Sequence, residues 1–526
     1  MIVSIFNDVI GPVMRGPSSS HCAAAWRIGR LARDLMGGEI DEVLIEFDRN
    51  GSLPTTHESQ GSDMGLFGGL LGWDIADTRL PDSPRAIRSA GVNVRIETVA
   101  AGDPHPNTYR LTLRNARERH SLIAISTGGG MIEVVAVDGF RVSMFGDYHE
   151  TLLWVRDRGP EVARRVRAMA DADEVLLHEA DGAYLVEVKS SRFVGDAAVN
   201  DLAKIADITQ VRRLAPVLPV TSRRGMSVPF TTCGEMLAYS AGRNVPLWKL
   251  AVEYEQARSG LTEGQIVARM ADIVRILRRS IAEGIAGTRY DDRMLGYQCG
   301  AFKQRMEERR LLDGGALNRI VLYVAALMEV KSAMGVIVAA PTAGACAALP
   351  GAVIAMAEEM KLSEEDMARA MLAAGVIGVF IATRWTFASE VGGCQAETGA
   401  AGCMAAAALV SLADGTLAQA VAAASMAMQN VLGLICDPVA RRVEVPCLGR
   451  NVMAASNALA CANMALAGFD PVIPLDEVIE TAARVGDQMP RELRCTGMGG
   501  LSITRTSQAI EQRLAVAKAG VCCRCR

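Results

Sequence analysis

Apolar and polar positions alternate with period two along much of the first 150 residues. Val43, Ile45 and Phe47 share one face of 41–47, and Val92, Val94 and Ile96 alternate with Asn93, Arg95 and Glu97. The stretch 109–114 alternates again, and a further strand is expected at 131–137. Alternation of this kind predicts half-buried strands. Helical spacing at 27–36 predicts a helix, and Gly128-Gly129-Gly130 predicts a tight turn whose N–H groups either meet an anion or simply close a hairpin. From about 150 to 221 the pattern reads β-α-β-β-α-β, with strands at 151–156, 174–179, 183–188 and 215–220 and helices at 160–170 and 194–208. Beyond 224 the chain turns helical. Thr262-x-x-Gln265 is a capping box ahead of a stripe made by Ile266, Met270, Val274, Leu277 and Ile281, and Ser363-x-x-Asp366 opens a helix at 367–383 that is apolar nearly all round. The expected architecture is multidomain: an α/β domain at 1–150, a small βαββαβ domain at 151–223 and an all-α domain at 224–526.

Composition narrows the function classes. Half of the 526 residues are apolar, enough for large cores. A net charge of −4 and sparse aromatics leave no footprint for nucleic acid. The uncharged runs 415–436 and 451–469 approach the length of a bilayer span, but alanine dominates them and Gln419, Gln429, Asn430, Asn451, Asn457 and Asn463 interrupt them. They read as closely packed soluble helices, so no membrane is expected. Asp8 and Pro12 break the apolar start, which reads as no secretory leader. Thirteen cysteines then point to a reducing cytoplasm, where thiols serve metals or catalysis.

Candidate chemistry gathers between residues 390 and 450. Cys394 follows Gly392-Gly393, Cys436 precedes Asp437-Pro438, and Cys447 follows Pro446, so each thiol sits beside residues that fix a turn. Their separations of 42 and 11 residues match neither a ferredoxin nor a zinc ribbon. On spacing alone they are either metal ligands or three buried small hydrophobes. All six histidines precede residue 180. A histidine base would therefore place the active site between the N-terminal and helical halves. His21, after Ser18-Ser19-Ser20, has hydroxyls suited to a carboxylate beside it, and His105 opens His105-Pro106-Asn107-Thr108.

Several motifs carry a family resemblance. GCQAE at 393–397, CDPV at 436–439 and VPC at 445–447 resemble signatures of the iron–sulfur-dependent bacterial L-serine dehydratases. IGPVMRGPSSSH at 10–21 and APTAGACAALPG at 340–351 are similar to two more, in the family's order. The resemblance implies a [4Fe–4S] cluster on Cys394, Cys436 and Cys447, with one iron left open as a Lewis acid toward the β-hydroxyl of serine. It implies release of pyruvate and ammonia, a homodimer, and a site drawing on His21, His105 or His57 as base. Ser18, Ser19, Ser20, Asp63, Asn107, Thr108, Thr342 and Gly344 are the substrate-binding candidates. The βαββαβ order of the middle domain resembles the amino-acid-sensing ACT module found in some members.

Three motifs depart from the family. GHGTD becomes Ser59-Gln60-Gly61-Ser62-Asp63, replacing a histidine with an amide that shuttles no proton. SSSHT ends in Cys22, and a C-terminal R-E-T becomes Arg494-Cys495-Thr496. These departures leave two alternatives: an L-cysteine desulfidase or another lyase on a β-substituted amino acid, and an amino-acid sensor without turnover. The tail thiols Cys522, Cys523 and Cys525 are either an exposed cap or a reach-back ligand, as in members that end in a cysteine over the fourth iron.

Overall fold

The computed structural model describes residues 2–169 and 171–523. Six strands form a sheet in the order Asn93–Val99, Glu42–Asp48, Thr108–Arg114, Arg119–Gly128, Met131–Val137 and Phe140–Met144. Only the pair Glu42–Asp48 and Asn93–Val99 is parallel. The alternation read from sequence becomes a one-sided core: Val43, Ile45, Phe47, Leu111 and Leu122 pack on the helices Ala24–Leu35 and Ser62–Leu70. Those helices touch backbone to backbone. A Cβ on Gly69 would stand 2.3 Å from the Trp26 carbonyl oxygen, so glycine is required there.

The second sheet has the order Ile208–Leu214, His149–Val155, Ala183–Ser190, Glu174–Ala180, all antiparallel. Helices Gly159–Met169 and Asp196–Ala203 cover one face through Leu153, Val155, Val162, Val186 and Val188. Leu152, Trp154 and Leu185 on the other face join the core of the large sheet. The closing strand is Ile208–Leu214, whereas the sequence reading put it at 215–220. Pro216 and Pro219 have no N–H to give a ladder. The preceding helix correspondingly stops at Ala203, short of the expected 208.

The C-terminal region is helical. Glu364–Arg384 starts on the capping box formed by Ser363 and Asp366 and is buried on nearly every side, packed among Leu247–Ser259, Glu263–Ala286 and Ala400–Leu412. Glu263–Ala286 starts on the Thr262–Gln265 box and buries the expected stripe. The two uncharged runs fold as Leu417–Gln429 and Cys447–Leu466. Among the described residues, the one helix long and apolar enough to cross a bilayer is Glu364–Arg384, with 78% of its apolar window buried inside the protein.

The two halves are interleaved at the N-terminus. Ile5, Phe6, Val9, Ile10 and Met14 belong to the helical core, and Val13–Met14 pairs with Ile337–Val338. The Glu255 carboxylate accepts from Ser4 Oγ and from the Ile5 N–H, each at 2.8 Å. The Asn7 carboxamide exchanges two hydrogen bonds with the Val220 backbone. This anchor delivers Ser18–His21 to the loop at Ala343, whose N–H donates to Ser19 Oγ at 3.1 Å. Glu255→Ala strands the Ser4 and Ile5 donors in a dry site and is expected to destabilise the fold by about 1–3 kcal/mol, read as a lower midpoint in chemical denaturation.

Candidate active site

Four segments bring thiols to one place. Cys394 leaves the short helix Ser389–Gly392 through Gly393, whose φ of +71° is open to glycine. It enters a wide turn, Gln395–Gly399, that carries Glu397. Cys436 lies in an extended segment before Pro438, and Cys447 starts Cys447–Leu466. The Cys394 and Cys436 sulfurs and a Glu397 carboxylate oxygen all lie within 4.8 Å of one another. Cys447 stands outside that group, yet close enough for its thiol to feel the charges of Cys394 and Glu397. That limit describes donors to a single ion; thiolates on separate irons of a cube are held farther apart.

The electrostatics favour a thiolate at Cys394. A hydrogen bond from Cys436 holds it below the ordinary thiol value, and the Arg450 charge adds to this against the effect of burial. Arg450 donates to the Cys394 sulfur at 3.3 Å and to Asp437 at 2.7 Å. Hydrogen bonds with Cys394 and Cys495, then burial, push Cys436 up, and burial does the same to Cys447. Burial and the negative neighbours Cys394 and Glu390 push Glu397 up. Free buried sulfurs, one with a guanidinium beside it, form a donor set that suits a soft metal cluster.

Four residues upstream of Cys394, Glu390 joins this sulfur site to the N-terminal half. Ser20 Oγ donates to Glu390 Oε1 at 2.9 Å, and His21 Nδ1 stands 3.3 Å from the same oxygen. Glu390 is 4% exposed, and its Oε2 has no partner. His21 sits on a wide turn, Ser19–Ala23, of a kind that recurs at functional sites. Its Nε2 meets Thr56 Oγ1 at 2.8 Å; that hydroxyl already donates to the Ser52 carbonyl, so His21 carries its proton on Nε2. Nδ1 is then an acceptor for the Ser18 hydroxyl at 3.2 Å; the Ser20 hydroxyl, 3.4 Å away, spends its single proton on Glu390. Burial lowers the pKa of His21, with Glu390 opposing.

A cavity of about 360 Å³ opens beside this pair, lined by Ser52, His105, Glu390, Arg494 and Thr496 among others. The His105 Nδ1 accepts from the Asn107 N–H at 3.2 Å, which leaves Nε2–H as a donor when the ring is neutral. Burial lowers His105 too, again with Glu390 opposing. The Asn107 carboxamide oxygen accepts from Ser52 Oγ, while its Nδ2 has no partner. Arg494 donates from Nη1 to the Val391 carbonyl and keeps an unpartnered Nε. Glu390 and Arg494 thus put a carboxylate and a guanidinium on the cavity wall, charges that match a small zwitterion.

The other expected residues divide between this site and its supports. Thr108 Oγ1 donates to the His105 carbonyl at 2.8 Å and fixes that turn. Thr342 hydrogen-bonds Glu397, and a Cβ on Gly344 would stand 3.1 Å from Glu397 Oε2. His57 is set apart: its Nδ1 meets Asp63 at 2.7 Å, and it lines a different cavity, of about 260 Å³, with Arg441 and Arg442. Burial disfavours its charged form, but the hydrogen bond and charge of Asp63 outweigh this and raise its pKa. Gly128 docks the glycine turn on the helical half, where a Cβ would stand 2.7 Å from the Ala388 nitrogen. The side chains of Cys522 and Cys523, and all of Cys525, lie outside the described residues. Glu390, Glu397, Arg450 and Arg494 were not legible as site residues; only their position beside the cysteine and Arg494-Cys495-Thr496 motifs could have flagged them.

Comparison with known proteins agrees with this layout. A family model described as serine dehydratase alpha chain matches residues 242–502. A probable L-serine dehydratase alpha chain of Bacillus subtilis is 35% identical over 285 residues, covering 54% of this chain and 95% of the relative. The probable beta chain from the same organism is 32% identical over 218 residues, 40% of this chain and 98% of the relative. An L-serine dehydratase of Streptomyces coelicolor is 28% identical over 517 residues, 96% of this chain and 99% of that one. Matched by separate alpha and beta chains and nearly end to end by a single-chain relative, this chain belongs to the L-serine dehydratase family, a family of ammonia-lyases.

Proposed function

We propose that the chain converts L-serine to pyruvate and ammonia with a [4Fe–4S] cluster held by Cys394, Cys436 and Cys447. The observation that carries this reading is Glu390: it lines a small polar cavity with an unpartnered Oε2, while Ser20 fixes its Oε1 beside His21, four residues from the first cysteine. When bound, the cluster supplies a Lewis acid for the β-hydroxyl, which is otherwise a poor leaving group. The protein's own groups do the rest. Arg494 and the Asn107 amide receive the carboxylate, and His105 Nε2–H adds a donor. Glu390 takes the α-proton, Ser20 holds the carboxylate in place, and the unprotonated Nδ1 of His21 beside Oε1 accepts the proton in turn. The enamine that leaves the site tautomerises and hydrolyses unaided. The module at 149–214 is read as ACT-like on its strand order, with its helix-free face against the large sheet.

The test is product formation under strictly anaerobic conditions from L-serine and, in parallel, L-cysteine. Pyruvate from serine exceeding that from cysteine supports the dehydratase reading. Sulfide and pyruvate from cysteine alone would instead assign a desulfidase, and neither product would leave a binding protein.

A further inference from the structure

Two of the motif departures, Gln60 and Cys495, touch each other. They lie 435 residues apart, yet the Gln60 carboxamide nitrogen donates to the Cys495 sulfur at 3.4 Å, with both residues nearly fully buried. Cys495 is also locked to a cluster cysteine through the backbone. Its N–H donates to the Cys436 carbonyl at 2.9 Å, the Cys436 N–H donates to the Leu493 carbonyl at 2.8 Å, and Cys436 bridges to Arg494. Cys394, Cys436 and Cys495 form one buried group, with Leu434 packed against it.

We infer that Cys495 is a fourth, displaceable thiolate ligand of the cluster proposed above, positioned by Gln60. The inference rests on that cluster reading and adds a ligand beyond the three. Three features support it. A cuboidal four-iron cluster takes four thiolates when all its corners are closed by protein, and this site presents four buried free cysteines, counting Cys447. Cys495 has φ of +59°, a conformation that a side-chain-bearing residue adopts at a cost, and such strain collects where a group must be aimed. An N–H donor to a ligating sulfur is a usual support of such sites, and an amide supplies one without itself taking up or losing a proton. Arg494 and Thr496, on either side of Cys495, line the cavity assigned to substrate, which places that cavity next to the proposed ligand. Cys495 loses its thiol proton on binding and regains one when substrate displaces it; no electron is transferred.

The decisive comparison is iron retention in anaerobically prepared wild type and Cys495→Ser after brief titration with ferricyanide. Wild type is expected to keep four irons per cluster, whereas the variant loses the uncapped one and shows the paramagnetic signal of a three-iron cluster. Gln60→Leu should fall between them. If Cys495→Ser misfolds, Mössbauer spectra of iron-57-enriched wild type serve instead: no distinct iron subsite is expected until L-serine is added. Equal iron loss in wild type and variant, or a distinct subsite before serine is added, would overturn the fourth-ligand role while leaving the cluster reading intact. Wild type without iron and labile sulfide would overturn both.

Discussion

Cys394→Ser protein, prepared without oxygen, should contain little cluster iron and form no measurable pyruvate from serine. Cys394 is the thiol most strongly biased toward the charged form, by Cys436 and Arg450, and a metal ligand must be deprotonated. A serine hydroxyl is a far weaker donor to iron and ionises far less readily. The site's geometry sharpens the expectation, because Cys394 hydrogen-bonds Cys436 while Arg450 bridges from its sulfur to Asp437. Removing that sulfur leaves the guanidinium with only the Asp437 contact. Iron and sulfide analysis of the purified variant is the measurement. Full iron retention would remove Cys394 from the ligand set.

Glu390→Gln should lower kcat/KM for serine by on the order of 10²–10⁴-fold, the usual worth of a positioned general base. The substitution keeps shape and burial while removing the acceptor for the α-proton. His21→Ala should reduce turnover by about a hundredfold or more, through loss of the proton acceptor beside Glu390 Oε1. The two effects should be far from additive, since both residues act on one proton. Wash-in of deuterium at the α-carbon from heavy water separates this role from a structural one. Both variants should retain iron and lose exchange, whereas a mild effect in Glu390→Gln would shift the base role to His105.

Local signals were legible in the sequence where local forces decide the structure. Period-two alternation placed the strands around Ile45, Ile96 and Leu111, and both capping boxes were found at Thr262 and Ser363. The strand at Ile208–Leu214 was misplaced because a valine-rich segment outweighed the two prolines within it. Residues 5–14 read as the start of the α/β domain, but Ile5, Phe6 and Val9 are buried among helices more than 200 residues away. Nothing in a short apolar run identifies such a distant partner.

The same limit governs the site. His21 and the three cysteines stood out by residue type and motif, but Glu390 acquires its role only through Ser20 and His21, some 370 residues before it in the chain. Gln60 and Cys495 were each visible as departures from a pattern. Their contact, which makes one explain the other, exists only in the folded chain.

The central claim is that buried thiolates hold an iron–sulfur cube beside a carboxylate able to take the α-proton of serine. The most direct measurement is iron and acid-labile sulfide per chain in anaerobically purified protein, taken together with its rate of pyruvate formation from L-serine. The account predicts four irons and four sulfides per chain at full loading, with the rate rising and falling in proportion to that content across partially loaded samples. Serine turnover undiminished in protein stripped of iron and sulfide would contradict it.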